Sequence, residues 1–274
     1  MRVARGLLRS LALVFLFLML MAPAARAEFF LGPYVGATIP QNNDLNIQDK
    51  TFNFGLTANS VSFDTSLTYG GKVGYWLGFF PYVGVEVDTV RYSPSIDQQT
   101  VSLHGTLPFG IGTVAPGTQV TTGRINTVPL VGGGTFPFLP VDKADVKVTG
   151  IGFHVMGRLR LLQDKDVPNG RLQPYVGVGP AIFITNVTLK PLTNQSQSST
   201  DVGIQALAGV KYFFHKNFSV FAEYKMSAFS PDFSFATLAT FAVPGAIRST
   251  NFSVSGTGFD HSVYGGVAVH FDVM

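Results

Sequence analysis

Apolar and polar residues alternate along almost the whole chain after residue 27. In residues 82–91, for example, Val83, Val85 and Val87 share one parity, while Glu86 and Asp88 share the other. Successive side chains of a strand point to opposite faces, so this pattern predicts a strand with one apolar and one polar face. No stretch shows a convincing helical period, and the chain is therefore predicted to be all-β.

Eight stretches follow this alternation, and each is about ten residues long, the length that a tilted strand needs to cross the hydrocarbon layer. They are 29–39, 67–77, 82–91, 150–162, 174–184, 202–214, 218–228 and 259–271. An even strand number is typical of bacterial single-chain barrels. The polar faces are rich in Gly and other small residues, which suits the crowded interior of a narrow barrel. A soluble sandwich is the alternative, but in that fold these Gly-rich faces with few charges would have to be solvent-exposed, and they are poorly suited to that.

The links between these stretches alternate in length. Long links cover about 40–66, 92–146, 188–201 and 230–258, whereas 78–81, 163–171 and 215–217 are short. An outer-membrane barrel with both termini in the periplasm has this asymmetry, and a sandwich has no reason for it. The prediction is an eight-stranded antiparallel up-and-down transmembrane β-barrel with short periplasmic turns and long outer loops. Pro180 requires a bulge or a local break in its strand.

The first residues predict an export signal. Basic Arg2, Arg5 and Arg9 precede an uncharged apolar run at 11–22, and the small residues Ala25 and Ala27 follow. That run is too short for a membrane-spanning helix, which needs roughly 20 residues; an N-terminal anchor is the alternative. We expect a cleaved signal peptide at 1–27, a barrel domain at 28–274 and localisation in the bacterial outer membrane.

The formal charge of +3 arises from the predicted signal. Four of the 19 basic residues lie there, which leaves 15 basic and 16 acidic residues in the remainder. A basic footprint for nucleic acid is therefore not expected. The chain has no Cys, which excludes disulfides and thiolate metal sites. With 46% apolar and 13% charged residues, it must bury a large core or face lipid.

Three segments carry a resemblance to a known family: Pro174 to Gly179, Phe221 to Lys225 and Gly265 to Phe271. They resemble the outer-membrane β-barrel superfamily typified by the membrane domain of outer-membrane protein A. The resemblance implies a membrane-embedded barrel, with assembly machinery that contacts the last strand near Phe271. In this sequence Phe271 is followed by three more residues, and no peptidoglycan-binding domain is expected.

Charged side chains are predicted to form an ionic network inside the barrel, because their parity is that of the inward faces. The predicted members are Lys72, Glu86, Asp88, Arg158, Arg160, Lys211, Glu223 and Lys225. The hairpin at 78–81 would place Lys72 opposite Glu86, and that at Lys216 would bring Lys211 diagonally near Glu223. Glu86 and Asp88 would lie near Arg158 and Arg160.

Buried charges must pair, so the preferred interpretation is a salt-bridged plug, with a charged permeation path as the alternative. Eight strands enclose a space that side chains roughly fill, and an open aqueous pore is not expected.

Catalysis is not expected. The five His residues are scattered, and neighbours such as His261 and Ser262 point to opposite faces of a strand. No metal site or cofactor is expected. The leading function is structural or surface interaction, in adhesion or envelope integrity, through the outer loops. Alternatives are a small channel for ions or small apolar solutes, and a lipid-modifying enzyme.

Expected partners are outer-membrane lipid, lipopolysaccharide and a surface ligand of the loops. The link 92–146 is too long to lack structure altogether. It is expected to extend its flanking strands as a hairpin or to fold over the barrel mouth, through Thr106 to Phe109 and Val131 to Pro140.

Overall fold

The computed structural model describes residues 27–49, 54–107, 111–138, 143–190, 196–239 and 248–273. Apart from Ala27, the predicted signal at 1–27 lies outside the described residues and stays a prediction. Within the described part, regular structure consists of eighteen strands, numbered β1 to β18 in chain order. The described residues contain no helix long and apolar enough to cross a membrane.

Eight of these strands form a closed antiparallel barrel in which each strand pairs with the next one along the circuit. They are β1 (Ala27–Pro40), β4 (Ser66–Trp76), β5 (Val83–Tyr92), β12 (Lys143–Arg158), β13 (Leu172–Lys190), β14 (Ser196–His215), β15 (Phe218–Phe229) and β18 (Gly258–Val273). Pairing between β18 and β1 completes the circuit. The predicted fold class is confirmed, and closure leaves no barrel strand with an open edge in lipid.

The two faces of the barrel wall differ as the alternation predicts. Outward side chains such as Val35, Val155, Val176 and Val263 are 56 to 61% exposed. Inward side chains are buried, including the charged group of Glu86. Exposed aromatic side chains encircle the end of the barrel that carries the short turns and both described termini. They include Phe79, Phe80, Tyr82, Phe214 and Phe218, as expected for an interfacial girdle. We name this the turn end and the opposite one the loop end.

Prolines interrupt the ladder without changing its register. Between β12 and β13, pairing stops after Gly152 and Ala181 and resumes at Val155 and Val178 in the same register. Pro180 therefore causes a local break rather than a bulge, because it has no N–H to donate. Pro33 leaves a matching gap between β1 and β18.

The barrel wall continues beyond the loop end as a second sheet. It contains β2 (Asn43–Asp49), β3 (Phe54–Val61), β7 (Thr100–Leu107), β16 (Asp232–Ala239) and β17 (Arg248–Ser255). Its order β16-β17-β2-β3-β7 repeats the barrel order β15-β18-β1-β4-β5. The Phe229–Gly258 pair and the Asp232–Ser255 pair share one register, so β16 and β17 prolong the hairpin below them. The links at 40–66 and 230–258 are thus largely continuations of barrel strands.

The long link 92–146 folds against this second sheet. It adds β6 (Ser95–Ile96), β8 (Gly112–Thr113), β9 (Gln119–Thr121) and the hairpin of β10 (Asn126–Pro129) and β11 (Thr135–Phe138). These pieces share an apolar core with β3 and β7, formed by Leu56, Val61, Val101, Leu103, Leu107, Val114, Val120 and Val128. The predicted covering segments lie partly outside the described residues, but Leu107 belongs to this core and the partly buried Phe136 packs against it.

Glycine inside the barrel is required by close packing. A Cβ at Gly74 would lie 2.5 Å from Cε1 of Phe30 and 2.9 Å from the carbonyl oxygen of Val85. A Cβ at Gly71, on the opposite face of the same strand, would meet only the carbonyl oxygen of Gly32, at 3.8 Å. The two positions form a matched pair.

We expect Gly74→Ala to lower the free energy of unfolding by about 1–3 kcal/mol, because the added methyl overpacks the interior. Gly71→Ala should change it by less than about 0.5 kcal/mol. Urea unfolding in lipid vesicles, followed by the fluorescence of Trp76, the single Trp of the chain, measures both. Equal effects of the two substitutions would contradict this account of the interior.

Candidate functional site

A buried cluster around Glu223 occupies the middle of the barrel. The ammonium of Lys72 forms ion pairs with Glu223 and, at 3.5 Å, with Glu86. The hydroxyl groups of Tyr175 and Tyr264 donate to Glu223 at 2.7 and 2.6 Å. Lys72 on β4 and Tyr175 on β13 lie on strands that do not neighbour β15, which carries Glu223, so these two contacts span the lumen.

A second ion pair lies beside this cluster. Lys225 pairs with Asp88 across the barrel, and its ammonium is 3.8 Å from Glu223. Tyr34 donates to Asp88 at 3.1 Å, and its ring stacks on Tyr264 with 4.3 Å between ring centroids. The two clusters therefore form one hydrogen-bonded network.

The turn end holds a third group of polar side chains. Arg158 donates to Glu28 at 2.5 Å, and the Nδ1 atom of His270 is 2.6 Å from the same carboxylate. The guanidinium of Arg158 lies 4.2 Å from the ring centroid of Trp76. The ammonium of Lys211 lies 3.9 Å from that of Phe30. Cation–π contacts of this kind add to the ion pairs when the charges are desolvated.

Charge within these three groups is balanced, and the described barrel also buries the carboxylate of Asp260, which accepts a hydrogen bond from Tyr92. The cations Lys72, Arg158, Lys211 and Lys225 face the carboxylates of Glu28, Glu86, Asp88 and Glu223, and all eight residues are at most 5% exposed. Each of these charges would be costly to bury alone. Balance and mutual contact explain how a narrow lumen holds eight of them.

The structure buries seven of the eight predicted lumen residues in these three groups, and Arg160 is the exception. Strand β12 ends at Arg158, and Leu162 adopts a left-handed φ of 54° in the turn that follows. Arg160 therefore belongs to the turn, where its Nη2 atom donates to the carbonyl oxygen of Pro168 at 2.6 Å. The predicted strand 150–162 extended too far because Leu159 and Leu161 continue the apolar alternation.

The predicted pairings were partly wrong. Lys72 stands opposite Asp88 and not Glu86, because the turn between β4 and β5 is displaced by one residue from the predicted centre. Glu86 and Asp88 face His154 and Gly152 rather than the two arginines. Lys211 is diagonal to Glu223 as expected, since Gly209 pairs with Glu223, although its ammonium lies over Phe30.

Sequence reasoning missed Glu28 and the tyrosines of the network. Glu28 is the first residue after the predicted cleavage site, so it lay just before the first predicted strand. Glu28 is an even-numbered position like the inward Gly32 and Tyr34, and this shared parity could have placed it in the lumen. Tyr175 has the parity of the inward face of the predicted strand 174–184, but its role as a donor was not predicted, because its partner Glu223 lies across the lumen.

Among the described histidines, His270 lies 2.8 Å from Oγ of Ser219 through its Nε2 atom and 2.6 Å from Glu28 through its Nδ1 atom, in a buried array. His261 is on the outer face, beside Tyr224 at 2.5 Å and Gln41 at 2.9 Å, whereas Ser262 points inward to Thr38. The described residues contain no group of three potential metal ligands.

The turn 159–171 contains a well-defined exposed carboxylate. Asp164 accepts hydrogen bonds from the backbone N–H of Val167 at 2.7 Å and of Asp166 at 2.9 Å, and it pairs with Arg171. The backbone hydrogen bond from Val167, and next the side chain of Arg171, hold the pKa of Asp164 below its ordinary value.

Comparison with protein families gives a match over most of the chain. Residues 11–256 match the family model described as the outer membrane protein beta-barrel domain. The chain belongs to this family. Membership implies that the barrel resides in the bacterial outer membrane, consistent with its apolar outer face. A search of curated proteins gives no match.

Solved structures agree with the fold. OprG of Pseudomonas aeruginosa is 12% identical, with 91% of this chain and 98% of that chain covered and a TM-score of 0.54. Neisserial surface protein A is 14% identical, with 89% and 97% covered and a TM-score of 0.39. The protease OmpT of Escherichia coli is 10% identical, with 89% and 97% covered and a TM-score of 0.45. The likeness to OprG supports the fold alone, and the other two carry no argument.

Removing one cation should unbalance the network. We expect Lys72→Met to lower the free energy of unfolding by about 3–5 kcal/mol, because Glu86 and Glu223 lose their shared partner. Combining it with Glu223→Gln should recover part of this loss. Lys216→Met, in an exposed turn, should cost less than about 0.5 kcal/mol. Urea unfolding in vesicles measures all three, and additive losses in the double variant would contradict the pairing.

The turn predicts a local pH dependence. Because the pKa of Asp164 is depressed in the folded turn, its carboxylate stabilises the turn above the ordinary Asp pKa. That stabilisation is lost as the pH falls through the depressed value. Arg171→Gln should raise the pKa of Asp164 but leave it below the ordinary value, since the hydrogen bond from Val167 remains. An NMR titration of the Asp164 carboxyl tests this, and an unchanged pKa would remove Arg171 as a cause.

Proposed function

We propose that this protein is a surface-interaction barrel, whose partners contact the wall beyond the loop end while the lumen serves as a structural plug. The observation that carries the proposal is the contrast between the two regions. The lumen is filled by a balanced ionic network. The outer strands form a continuous polar sheet with a core of its own.

Side chains crossing the lumen at several levels support the plug. Above the ionic clusters, the hydroxyl group of Tyr92 on β5 donates to the carboxylate of Asp260 on β18, across the lumen. Nearer the loop end, the rings of Phe183 and Phe229 stack with 4.2 Å between their centroids. A permeating solute would have to separate these contacts, which favours a structural role over a passage.

The regular secondary structure of the outer sheet supports an interaction role. Short flexible loops would expose little defined surface, whereas this sheet has paired strands and a buried apolar core. A preordered surface loses less conformational entropy when it binds a partner. Such a platform suits adhesion or contacts within the cell envelope.

The proposal includes an arrangement in the cell. A cleaved signal at 1–27 exports the chain, both termini lie in the periplasm, and assembly machinery contacts the last strand near Phe271. The outer sheet then faces the exterior, where lipopolysaccharide is a neighbour. The protein has no catalytic role in this proposal.

Truncation of the outer sheet tests the interaction role. In the truncated variant, one Asn-Gly turn replaces residues 44–60 and another replaces residues 230–257. These cut points are chosen because the flanking pairs Asn43–Val61 and Phe229–Gly258 are in the barrel register, so a tight turn can join them. The matched control replaces 185–199 between Ile184 and Thr200. We expect proteoliposome binding to intact bacterial or epithelial cells, measured by flow cytometry, to fall at least tenfold in the first variant only. Unchanged binding in that variant, or no binding by the parent, would refute the proposal.

Conductance separates the plug from a channel. We expect the parent and Glu86→Gln to give no steady unit conductance in planar bilayers, because substituting one carboxylate leaves the other contacts across the lumen in place. Each sample must first show the shifted electrophoretic mobility of a folded, heat-modifiable barrel. A reproducible unit conductance that Glu86→Gln alters would support the channel instead.

A further inference from the structure

The outer side of the second sheet carries neutral polar side chains. Its outward positions lie on β2, β3, β7 and β17, and we call them the neutral face. They are Asn46, Gln48, Gly55, Thr57, Asn59, Thr100, Ser102, His104, Thr106, Ser253 and Ser255. Within this set no residue is Asp, Glu, Lys or Arg. The carboxylates of Asp44 and Asp232 stand at its margin nearest the barrel.

The neutral face is the upward continuation of the lipid-facing side. On β18 the outward residues include Val263, 57% exposed, and the same odd parity continues to Ser253 and Ser255. On β4 the outward residues include Leu67 and Tyr69, and the outward positions of β3, which extends the wall beyond β4, are also odd-numbered. The outer surface therefore changes from apolar to amide and hydroxyl groups along one wall. It looks sideways, over the membrane, rather than away from the cell.

Cross-strand hydrogen bonds hold these side chains in place. Thr57 donates to Oδ1 of Asn46 at 2.9 Å, and the side chains of Asn59 and His104 are 3.1 Å apart. Gln48, Ser102 and His104 are exposed, and Asn46 and Thr57 are partly exposed. Amide and hydroxyl groups each offer donors or acceptors to a ligand, and ordering them beforehand lowers the cost of binding.

The chemistry of the neutral face restricts its ligand. A lipid tail would need apolar side chains, and phosphate-rich or sulfated polymers would need Lys or Arg to pair with. The face offers neither. A chain of uncharged sugars matches it, because vicinal hydroxyl groups both donate and accept hydrogen bonds.

We propose that the neutral face binds the uncharged sugars of a polysaccharide chain that is anchored in the same membrane beside the barrel. The sideways orientation favours this source, because such a chain rises from the outer leaflet parallel to the wall. This inference rests on the proposed function and names its ligand class. The binding energy comes from neutral hydrogen bonds and contact area, so it depends little on ionic strength.

Affinity electrophoresis of the full barrel in mild detergent provides the test. The probe is the delipidated polysaccharide released from the outer membrane of the bacterium that encodes the protein. Neutral dextran and dextran sulfate serve as comparison polymers. We expect the polysaccharide to retard the barrel equally at low and high salt, and dextran sulfate to leave its mobility unchanged. Retardation that disappears at high salt, or that requires dextran sulfate, would overturn the proposal.

Matched substitutions locate the binding surface. Gln48→Glu and Ser102→Asp place a charge on the neutral face and should weaken polysaccharide binding at least tenfold. Ser198→Asp makes the same change at an exposed outward serine of β14, across the barrel, and should leave binding within twofold. Heat-modifiable electrophoretic mobility verifies the folding of each variant. If Ser102→Asp does not fold, Gln48→Glu still tests the face, because that substitution is nearly isosteric. Equal weakening by all three would overturn the assignment to this face.

The outcomes separate this inference from the proposed function. If truncation of the outer sheet abolishes cell binding but the delipidated polysaccharide never retards the parent, the ligand class is wrong and the interaction role stands. If neither polysaccharide nor cells bind the parent, both proposals fail.

Discussion

The structure depends on one constraint, which is that no backbone N–H or C=O of a membrane-embedded strand can be left without a partner. Closure between β18 and β1 gives every barrel strand a partner on both sides. It also creates an interior too narrow for bulk water, and the charges enclosed there must satisfy one another. The pairing of Lys72 with Glu223 and of Lys225 with Asp88 is thus a consequence of closure. The closed barrel and its internal ion pairs are two results of one hydrogen-bonding requirement.

Closure also explains what the sequence could reveal. Alternation such as Val83, Val85 and Val87 against Glu86 and Asp88 reports directly on which side chain faces lipid, so the strands and their inward faces were predictable. Contacts across the lumen were not. Lys72 on β4 reaches Glu223 on β15, and that approach depends on the diameter and strand tilt of the closed barrel. Parity assigns a side chain to the interior but does not name its partner there.

Strand ends and outer strands were predicted less well for a different reason. The alternation of Leu159 and Leu161 continues past Arg158, where only the bridge between Leu161 and Leu172 follows the end of β12, so Arg160 was placed in the lumen. Residues 43–61 were read as a loop because their outward side chains are polar and a bulge near Asn43 shifts the pairing by one residue. Hydrophobicity marks the part of a wall that touches lipid. It does not mark the part of the same wall that stands in water.

The shared register of β15–β18 and β16–β17 has an evolutionary consequence. A hairpin that grows by one residue in each arm keeps its pairing, but the added pair faces the opposite side from the pair before it. Two residues per arm restore the original orientation. The height of the platform can therefore change through small, symmetric insertions near the tip, and the membrane-embedded part need not readjust. The reach of the second sheet beyond the barrel is adjustable in this architecture independently of anchoring.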